Sequence, residues 1–190
     1  MSCWTLVPIA SLVNTPWRNN LGTTRDVHTG IGPDGRLRWQ VSIANLVQDA
    51  PFSFFEHGDR IFIPIEGDPP PELAFYGGAF ESCPLLVPKY FSGEWPTLSR
   101  ISVPGKAFNV IVDRRFLTAT VQVLRLKAGQ LVEAPAAPHV VLHCLVGQIA
   151  AAGYLLGPGD SLLSAGPATS GAMAAEHGTA IIVAVHTAAA

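Results

Sequence analysis

Glycine and proline are the residues that most restrict what this chain can fold into. The sequence has 18 glycines and 16 prolines among its 190 residues, and they occur along its whole length. Proline lacks a backbone donor and glycine lowers helix stability, so long uninterrupted helices do not fit between them. Because 48% of the residues are apolar, the chain nevertheless has enough material for a buried core. We therefore expect an all-β protein.

Residues 36–44 show the clearest strand pattern. They follow the turn sequence Gly32-Pro33-Asp34-Gly35, and up to Ile43 their odd-numbered residues are apolar and their even-numbered residues polar. This period of two predicts a half-buried antiparallel strand, with Arg36 and Arg38 on a solvated face and Trp39 either in the core or in a pocket wall. It would form a hairpin with residues 24–29. Further strands are predicted at residues 60–65, 72–75, 106–112, 117–126, 139–146, 148–156, 160–164 and 180–186.

The charges are distributed unevenly. All 12 Lys and Arg residues lie at or before Lys127, and only Glu133, Asp160 and Glu176 are charged beyond it. Strands and tight turns occur on both sides of this point, which predicts two packed jelly-roll-like halves, residues 1–127 and the smaller 128–190. Residues 134–138 either connect the halves or form a surface loop within one domain. With so few charges to solvate it, the second half is expected to be covered partly by a second copy in a homodimer.

Composition excludes several classes of protein. A formal net charge of −2 gives no cationic excess for binding nucleic acid. No apolar run approaches the ~20 residues of a membrane span, and no Lys or Arg precedes the first apolar stretch, so we expect a cytoplasmic protein without membrane contact. The three cysteines are far apart, which favours small buried side chains over disulfides or metal-binding pairs.

Metal and cofactor motifs are absent from the sequence. A divalent metal site of the His-x-His type needs that pair, a nearby carboxylate and a further His, whereas His57 stands alone here. His139 and His143 would lie about 13 Å apart along a strand, too far to hold one ion. There is no phosphate loop, Rossmann fingerprint or Gly-x-Ser-x-Gly motif. We therefore expect neither a metal nor a cofactor.

Four sequence blocks resemble the HutD/Ves family. They are Pro16 to Asp26 (PWRNNLGTTRD), Trp39 to Ala44 (WQVSIA), Pro51-Phe52-Ser53 with Asp59-Arg60, and Phe108-Asn109-Val110 with Arg114-Arg115. The resemblance covers residues 5–126 well. It implies a double-stranded β-helix, or jelly-roll, bicupin of the RmlC-like cupin type, with two tandem β-barrels packed together. It also implies a role in bacterial histidine utilisation, by binding a small pathway metabolite or limiting flux, with no established catalytic activity.

The sequence departs from the family pattern at two places. Asn20-Leu21 stands where the family has two glycines, and side chains there would narrow the approach of a ligand to the backbone. Ala107 stands where the family has an aspartate before Phe-Asn, so that carboxylate is absent. The ligand of the family is therefore not carried over to this chain.

The candidate site is an anion or polar-metabolite pocket in the N-terminal half. Arginine binds carboxylates through two parallel hydrogen bonds, asparagine and serine orient polar groups, and aromatic side chains form walls. The candidates within or beside the family-like blocks are Trp17, Arg18, Asn19, Asn20, Thr24, Arg25, Ser42, His57, Arg60, Asn109 and Arg115. The alternative is that local ion pairs, Asp59 with Arg60 or Asp113 with Arg114, use some of these charges structurally.

Three functions remain open on these residues. The first is a regulator without catalysis or metal that binds a small, carboxylate-bearing metabolite. The second is a cupin-type isomerase or hydrolase acting on a small polar substrate, with His57, Glu56 or Asp59 as acid or base. The third is an interaction module whose C-terminal half mediates self-association.

Overall fold

The computed structural model describes residues 3–17, 20–165 and 172–188. The chain forms two compact units: a central unit of residues 13–117, and a terminal unit of residues 1–12 and 118–190. Within the described part, no helix has the length and apolar character that a membrane crossing requires. The expected boundary after Lys127 differs from this division, because residues 118–126 belong to the terminal unit together with the first twelve residues.

Strands make up nearly all of the regular structure, which confirms the all-β prediction. Among the residues that the structure describes, a single short 3-10 helix covers Ile9–Ser11. The strands are β1 (Cys3–Val7), β2 (Thr15–Pro16), β3 (Gly22–Ile31), β4 (Leu37–Leu46), β5 (Ala50–Pro51), β6 (Gly58–Glu66), β7 (Glu72–Phe75), β8 (Glu81–Ser82), β9 (Lys89–Ser92), β10 (Thr97–Arg100), β11 (Gly105–Asp113), β12 (Leu117–Leu126), β13 (Leu131–Glu133), β14 (His139–Ala151), β15 (Tyr154–Leu156), β16 (Ser161–Ala165) and β17 (Ala172–Thr187).

The central unit is built from two antiparallel sheets that share a cluster of buried side chains. A six-stranded sheet has the order β2-β3-β4-β11-β6-β9, and a four-stranded sheet has the order β5-β10-β7-β8. Phe62 and Ala107 of the larger sheet pack in one cluster with Leu73 of the smaller sheet, and Phe91 joins them. Burial of these side chains supplies the main driving force that holds the two sheets together.

The predicted closed β-barrels are not seen among the described strands. None of the hydrogen-bonded strand paths closes on itself among the described strands. In the central unit the sheets meet through side chains of the shared core and not through a continuous ladder of backbone hydrogen bonds, as in a sandwich. The structure thus establishes an all-β fold of antiparallel sheets, and the bicupin description remains a prediction.

The terminal unit has one antiparallel sheet in the described residues. Its strand order is β1-β16-β14-β17-β12, with β13 paired to β17 and β15 paired to β14. Val140, Leu142 and Ile182 form part of its core. His143 is 1% exposed in this unit, and its Nδ1 atom lies 2.8 Å from the Ser161 hydroxyl.

Strand β4 is buried on both faces, so the prediction of a solvated face is wrong for its centre. Val41 is fully buried, and its neighbour Ser42, on the opposite face, is only 6% exposed. The reason is that β4 is an inner strand, between β3 and β11, and that its polar residues Gln40 and Ser42 face a cavity and not the surface. Trp39 is 5% exposed and stacks on His28, with 4.3 Å between ring centres, which places it in the core.

Candidate functional site

A cavity of about 160 Å³ opens on one face of the six-stranded sheet. Antiparallel register creates it: Ser42 on β4 is paired with Asn109 on β11, and Gln40 is paired with Ile111, which is paired in turn with Arg60 on β6. Side chains two residues apart on a strand share a face, so these polar groups are collected on one surface. We call it the Arg60 pocket; it is lined by Trp17, Thr24, Gln40, Ser42, Ala44, Leu46, Pro51, Phe52, Ser53, Phe55, Arg60, Asn109 and Ile111.

Arg60 is a buried cation without a carboxylate partner in the described part of the chain. It is 5% exposed, and its guanidinium carbon lies 4.7 Å from the ring centre of Phe52, 5.2 Å from that of Phe55 and 5.8 Å from that of Phe91. Its Nη2 atom donates a 3.1 Å hydrogen bond to the Ser53 carbonyl oxygen, while its Nε atom has no partner. Burial lowers the pKa of Arg60 to about 10. A charge in this environment is costly unless an anion joins it.

Asn109 provides an unused acceptor beside this cation. Its side chain is 6% exposed, and its Oδ1 atom has no hydrogen-bond partner among the described residues. Buried polar groups are rarely left unpaired, because the lost hydrogen bonds to water are not replaced. The pocket therefore offers a buried positive charge and a buried acceptor that protein groups do not satisfy.

The orientation of the Gln40 amide is fixed by Asp26. Gln40 Nε2 donates a 2.9 Å hydrogen bond to Asp26 Oδ1, and a carboxylate can only accept, so the amide nitrogen must face it. Burial raises the pKa of Asp26, and the hydrogen bond from Gln40 opposes this effect. Because the amide nitrogen is held by Asp26, the Gln40 carbonyl oxygen is left as a second acceptor near the pocket.

The wall formed by residues 51–55 is held by close backbone contacts. Phe55 N–H donates to the Gly93 carbonyl at 2.9 Å, and Gly93 N–H donates to the Gly58 carbonyl at 2.7 Å. A Cβ atom at Gly58 would lie 2.8 Å from the Phe55 Cβ, so only glycine leaves room for this wall. Arg114 fastens the same region, with its Nε 2.7 Å from Asp59 Oδ1 and its Nη1 2.9 Å from Glu94 Oε2.

The structure brings five of the sequence-predicted site residues into the pocket. These are Trp17, Thr24, Ser42, Arg60 and Asn109. Arg18 and Asn19 lie outside the described residues. Asn20 is exposed and has a left-handed backbone with φ of 55°. Arg25 follows Thr24 on β3, so it points to the other face, where its Nε donates to Asn14 Oδ1 at 3.1 Å.

His57 and Arg115 are engaged by acidic groups and do not line the pocket. The His57 ring lies 3.8 Å from both Glu56 and Glu94, and Arg115 donates to both carboxylate oxygens of Asp113, at 2.9 and 2.7 Å. These hydrogen bonds lower the pKa of Asp113.

The two ion pairs expected from neighbouring residues are formed with other partners. Asp59 pairs with Arg114 and not with Arg60, and Asp113 pairs with Arg115 and more weakly with Arg38. Asp59 and Arg60 are adjacent on β6 and therefore point to opposite faces, which prevents them from pairing. Glu56, His57 and Asp59, the acid and base candidates of the enzyme hypothesis, are not among the residues that line the pocket.

The terminal unit has a small apolar cavity, and the described residues hold no metal cluster. Within the described ranges, no three His, Cys, Asp or Glu residues are placed to hold a metal ion together. The cavity found in the terminal unit has a volume of about 10 Å³ and is lined by apolar residues such as Trp4, Val140 and Ile182. This volume is about that of one water-sized probe. The Arg60 pocket of the central unit is the larger of these two cavities.

The HutD family model matches residues 10–182 of the chain. The chain belongs to the HutD family. The resemblance seen in the four sequence blocks is thereby confirmed, and the match extends well into the terminal unit. No curated protein sequence matches the chain significantly.

Solved structures show the same fold as this HutD-family chain. HutD from Pseudomonas fluorescens SBW25 is 21% identical, with a TM-score of 0.87 over 98% of this chain and 100% of its own. A conserved protein of unknown function from Pseudomonas aeruginosa PAO1 is 22% identical, with a TM-score of 0.86 over 97% and 100%. A cupin 2 conserved barrel domain protein from Leptotrichia buccalis is 11% identical, with a TM-score of 0.60 over 96% of each chain. The architecture is therefore cupin-like.

Several residues of the HutD-family pocket were missed by sequence reasoning. Gln40 and Ile111 could be placed beside Ser42 and Arg60 only once the register of β4, β11 and β6 was known. Phe52, Ser53 and Phe55 lie in or next to a family-like block, and their spacing before Arg60 was the available signal. Three phenylalanines in residues 52–55 are unusual for an exposed loop, and so many aromatic residues together indicate the wall of a pocket.

Proposed function

We propose that this HutD-family protein binds a small, carboxylate-bearing metabolite in the Arg60 pocket and thereby regulates histidine utilisation. The observation that carries the proposal is the buried Arg60 guanidinium, which borders a cavity and has no carboxylate partner among the described residues. Guanidinium binds a carboxylate through two parallel hydrogen bonds, and the unused Nε is one suitable donor. A bound carboxylate would supply the missing counter-charge.

The rest of the pocket indicates a second feature of the ligand. Asn109 Oδ1 needs a donor, so the preferred ligand carries an N–H or O–H group in addition to its carboxylate. The cavity volume is about 160 Å³, below the roughly 300–1,000 Å³ of pockets that hold drug-sized ligands. This size favours a small metabolite over a nucleotide or a peptide.

The family supports the proposed pathway. The chain belongs to the HutD family, and resemblance to this family implies a role in histidine utilisation. A regulator that responds to a carboxylate formed during histidine degradation would fit this role.

A screen of small carboxylates by thermal unfolding tests this proposal. Formate, glutarate, L-histidine and the intermediates of histidine degradation would each be added at 10 mM, with sodium chloride as the ionic control. A ligand at 100 times its Kd adds about 2.7 kcal/mol to the free energy of unfolding, which raises Tm by several degrees. Arg60→Met should abolish the rise, whereas the exposed Arg36→Met should keep it. If no compound raises Tm, or if Arg60→Met retains the full rise, the proposal is overturned.

The proposal extends to the assembly of the protein. We propose that the central and terminal units are the two cupin-like halves of a bicupin, and that the protein acts in the cytoplasm, without catalysis or metal, as a homodimer. Support for a homodimer comes from Leu131, Val146 and Leu155, which are 69%, 61% and 61% exposed in a region without Lys or Arg. Light scattering should give a dimer at micromolar concentration and a monomer for Val146→Glu. A wild-type monomer throughout would contradict this assembly.

A further inference from the structure

Strand β3 brings a carboxylate to the face of the sheet that carries the Arg60 pocket. Asp26 on β3 is paired with Ser42 on β4, and Ser42 is paired in turn with Asn109 on β11. Residues paired across antiparallel strands share a face, so the Asp26 side chain projects from the pocket face. Asp26 does not line the pocket, but Gln40, to which it is hydrogen-bonded, does. Asp26 can therefore act on a ligand through Gln40.

The Gln40 amide is held in one orientation by this contact. A carboxylate only accepts, so Gln40 Nε2 is turned to Asp26 Oδ1, at 2.9 Å, and the amide carbonyl oxygen is turned away from it. This oxygen accepts no hydrogen bond from a described residue. A neutral amide at position 26 would remove the constraint, because an amide both donates and accepts and so pairs with either orientation of Gln40.

The side of the pocket formed by β3, β4 and β11 is rich in hydrogen-bond acceptors. Besides the Gln40 carbonyl oxygen, it contains Asn109 Oδ1, which is buried and has no partner among the described residues. The Thr24 hydroxyl donates its proton to the Ile43 carbonyl oxygen at 3.3 Å, which leaves its own oxygen as a further acceptor. On β6, at the other side, the Arg60 guanidinium offers only donors. The pocket is thus polarised from one side to the other.

Strand spacing sets the distance between these two sides. Gln40 on β4 and Arg60 on β6 are both paired with Ile111, which lies between them on β11. Two strand spacings of about 4.8 Å place the backbones of Gln40 and Arg60 roughly 10 Å apart. The cavity of about 160 Å³ is lined by both side chains. One small molecule can therefore contact the guanidinium with one end and the Gln40 amide with the other.

We propose that Asp26 is a positioning residue that sets the ligand specificity of the Arg60 pocket. By holding the Gln40 carbonyl oxygen toward the cavity, it requires the ligand to present an N–H group at the end opposite its carboxylate. A ligand with an acceptor oxygen at that end would leave the oxygens of Gln40 and Asn109 unpaired in the complex. The ligand class is thus a monocarboxylate with an N–H donor at its far end, and dicarboxylates are disfavoured. This inference rests on the proposed metabolite binding and adds which ligands the pocket rejects.

Two carboxylates that differ in one group test the inference on the full chain. N-methylsuccinamate has an amide N–H where monomethyl succinate has an ester oxygen, and the two have the same length and charge. Titration calorimetry at pH 8 measures both dissociation constants. We expect the wild type to bind the amide at least about tenfold more tightly, because the ester leaves acceptors unpaired.

Matched variants separate the role of Asp26 from a structural one. In Asp26→Asn the ratio of the two dissociation constants should fall to within about threefold, because the Gln40 amide can then turn its nitrogen to the ester. Asp26→Glu keeps a carboxylate and should retain the preference. Asp34→Asn makes the same change at an exposed carboxylate that pairs with Arg38, and it should also retain the preference. Circular dichroism spectra and Tm establish that the variants fold.

Several outcomes would overturn the inference. Equal binding of the two compounds by the wild type would do so, because the second N–H of the Gln40 amide and not its oxygen would then face the ligand. So would an unchanged preference in a folded Asp26→Asn or Gln40→Met variant, or no binding of N-methylsuccinamate up to 10 mM by a protein that binds another carboxylate. Binding that depends on Arg60 can persist in each of these cases, so failure here is distinguishable from failure of metabolite binding. If no carboxylate binds, the proposed function is overturned and this inference with it.

Discussion

The Arg60 guanidinium carbon lies 4.7 Å from the centre of the Phe52 ring. The same guanidinium donates to the carbonyl of Ser53, so it touches two consecutive residues of the 51–55 wall. A cation stacked on an aromatic ring is stabilised without its charge being neutralised. Arg60 is therefore held in place by the wall while its charge stays available to an anion in the pocket.

Replacing Arg60 should separate binding from stability. In Arg60→Met we expect the free energy of unfolding to change by less than about 1 kcal/mol, because removing the cost of a buried charge offsets the lost hydrogen bond and ring contacts. Urea unfolding measures this change, and calorimetry with the best carboxylate of the screen should show no binding. A loss of more than about 3 kcal/mol with binding intact would instead identify Arg60 as structural.

Asn109 and Asn45 should respond oppositely to the same substitution. Asn109→Val removes a buried oxygen without a partner, so we expect the free energy of unfolding to rise by about 1 kcal/mol. Asn45→Val removes a 2.7 Å hydrogen bond to Thr23 and should lower it by about 1 kcal/mol. Both are measured by urea unfolding without ligand. A destabilised Asn109→Val variant would mean that this side chain already has a partner in the free protein.

His143 should make the protein sensitive to mild acid. Burial lowers its pKa from 6.5 to about 4, so between these pH values the unfolded chain binds more protons than the folded one. The free energy of unfolding should fall by about 3 kcal/mol as the pH decreases from 6.5 to 4 on account of this group. In His143→Gln the loss over this window should be smaller by that amount. An unchanged slope in His143→Gln would refute the assignment.

Tyr76 should be replaceable with a gain in stability. Its φ of 53° lies in the left-handed region, and Gly77 follows with φ of 71°. Asn adopts the left-handed conformation more readily, and Asn-Gly is a preferred type I′ turn, so Tyr76→Asn should raise the free energy of unfolding by about 1 kcal/mol. Tyr90→Asn, on strand β9, lacks this benefit and should be neutral or destabilising. Thermal and urea unfolding measure both. A loss of stability in Tyr76→Asn would show that the ring contact with Trp95, with 5.7 Å between ring centres, outweighs the backbone strain.

The all-β fold class could be predicted because its signals are local. They are the frequent glycines and prolines and the alternation of apolar and polar residues with a period of two. The predicted strand at 36–44 corresponds to Leu37–Leu46, and 117–126 corresponds to Leu117–Leu126. The prediction that one face of β4 is solvated was wrong, because burial of Gln40 and Ser42 depends on which strands flank β4. An inner strand and an edge strand can have the same alternating sequence.

Only part of the candidate site could be predicted from the sequence, because the face on which a residue lies also depends on strand register. Arg60 and Asn109 were candidates from the family-like blocks, and register places them on one face of the sheet. Arg25 and Arg115 were candidates on equal grounds, but strand alternation and the Asp113 carboxylate remove them from the pocket. Residue type can suggest chemistry, whereas the partner that neutralises a charge is decided by residues distant in sequence.

Phe52 lines both the Arg60 pocket and a second depression, of about 450 Å³, whose other sides include Phe54, Trp95 and Leu98; Pro51 is also shared. Asn109 can change without altering the second depression, and Trp95 can change without altering the pocket, but any substitution at Phe52 reshapes both. Selection acting on either surface therefore acts on the other through these shared residues, of which Phe52 has the larger side chain. In a deep mutational scan, Phe52 should tolerate fewer substitutions than residues of similar burial that line a single cavity, and compensating changes should arise on both sides of it.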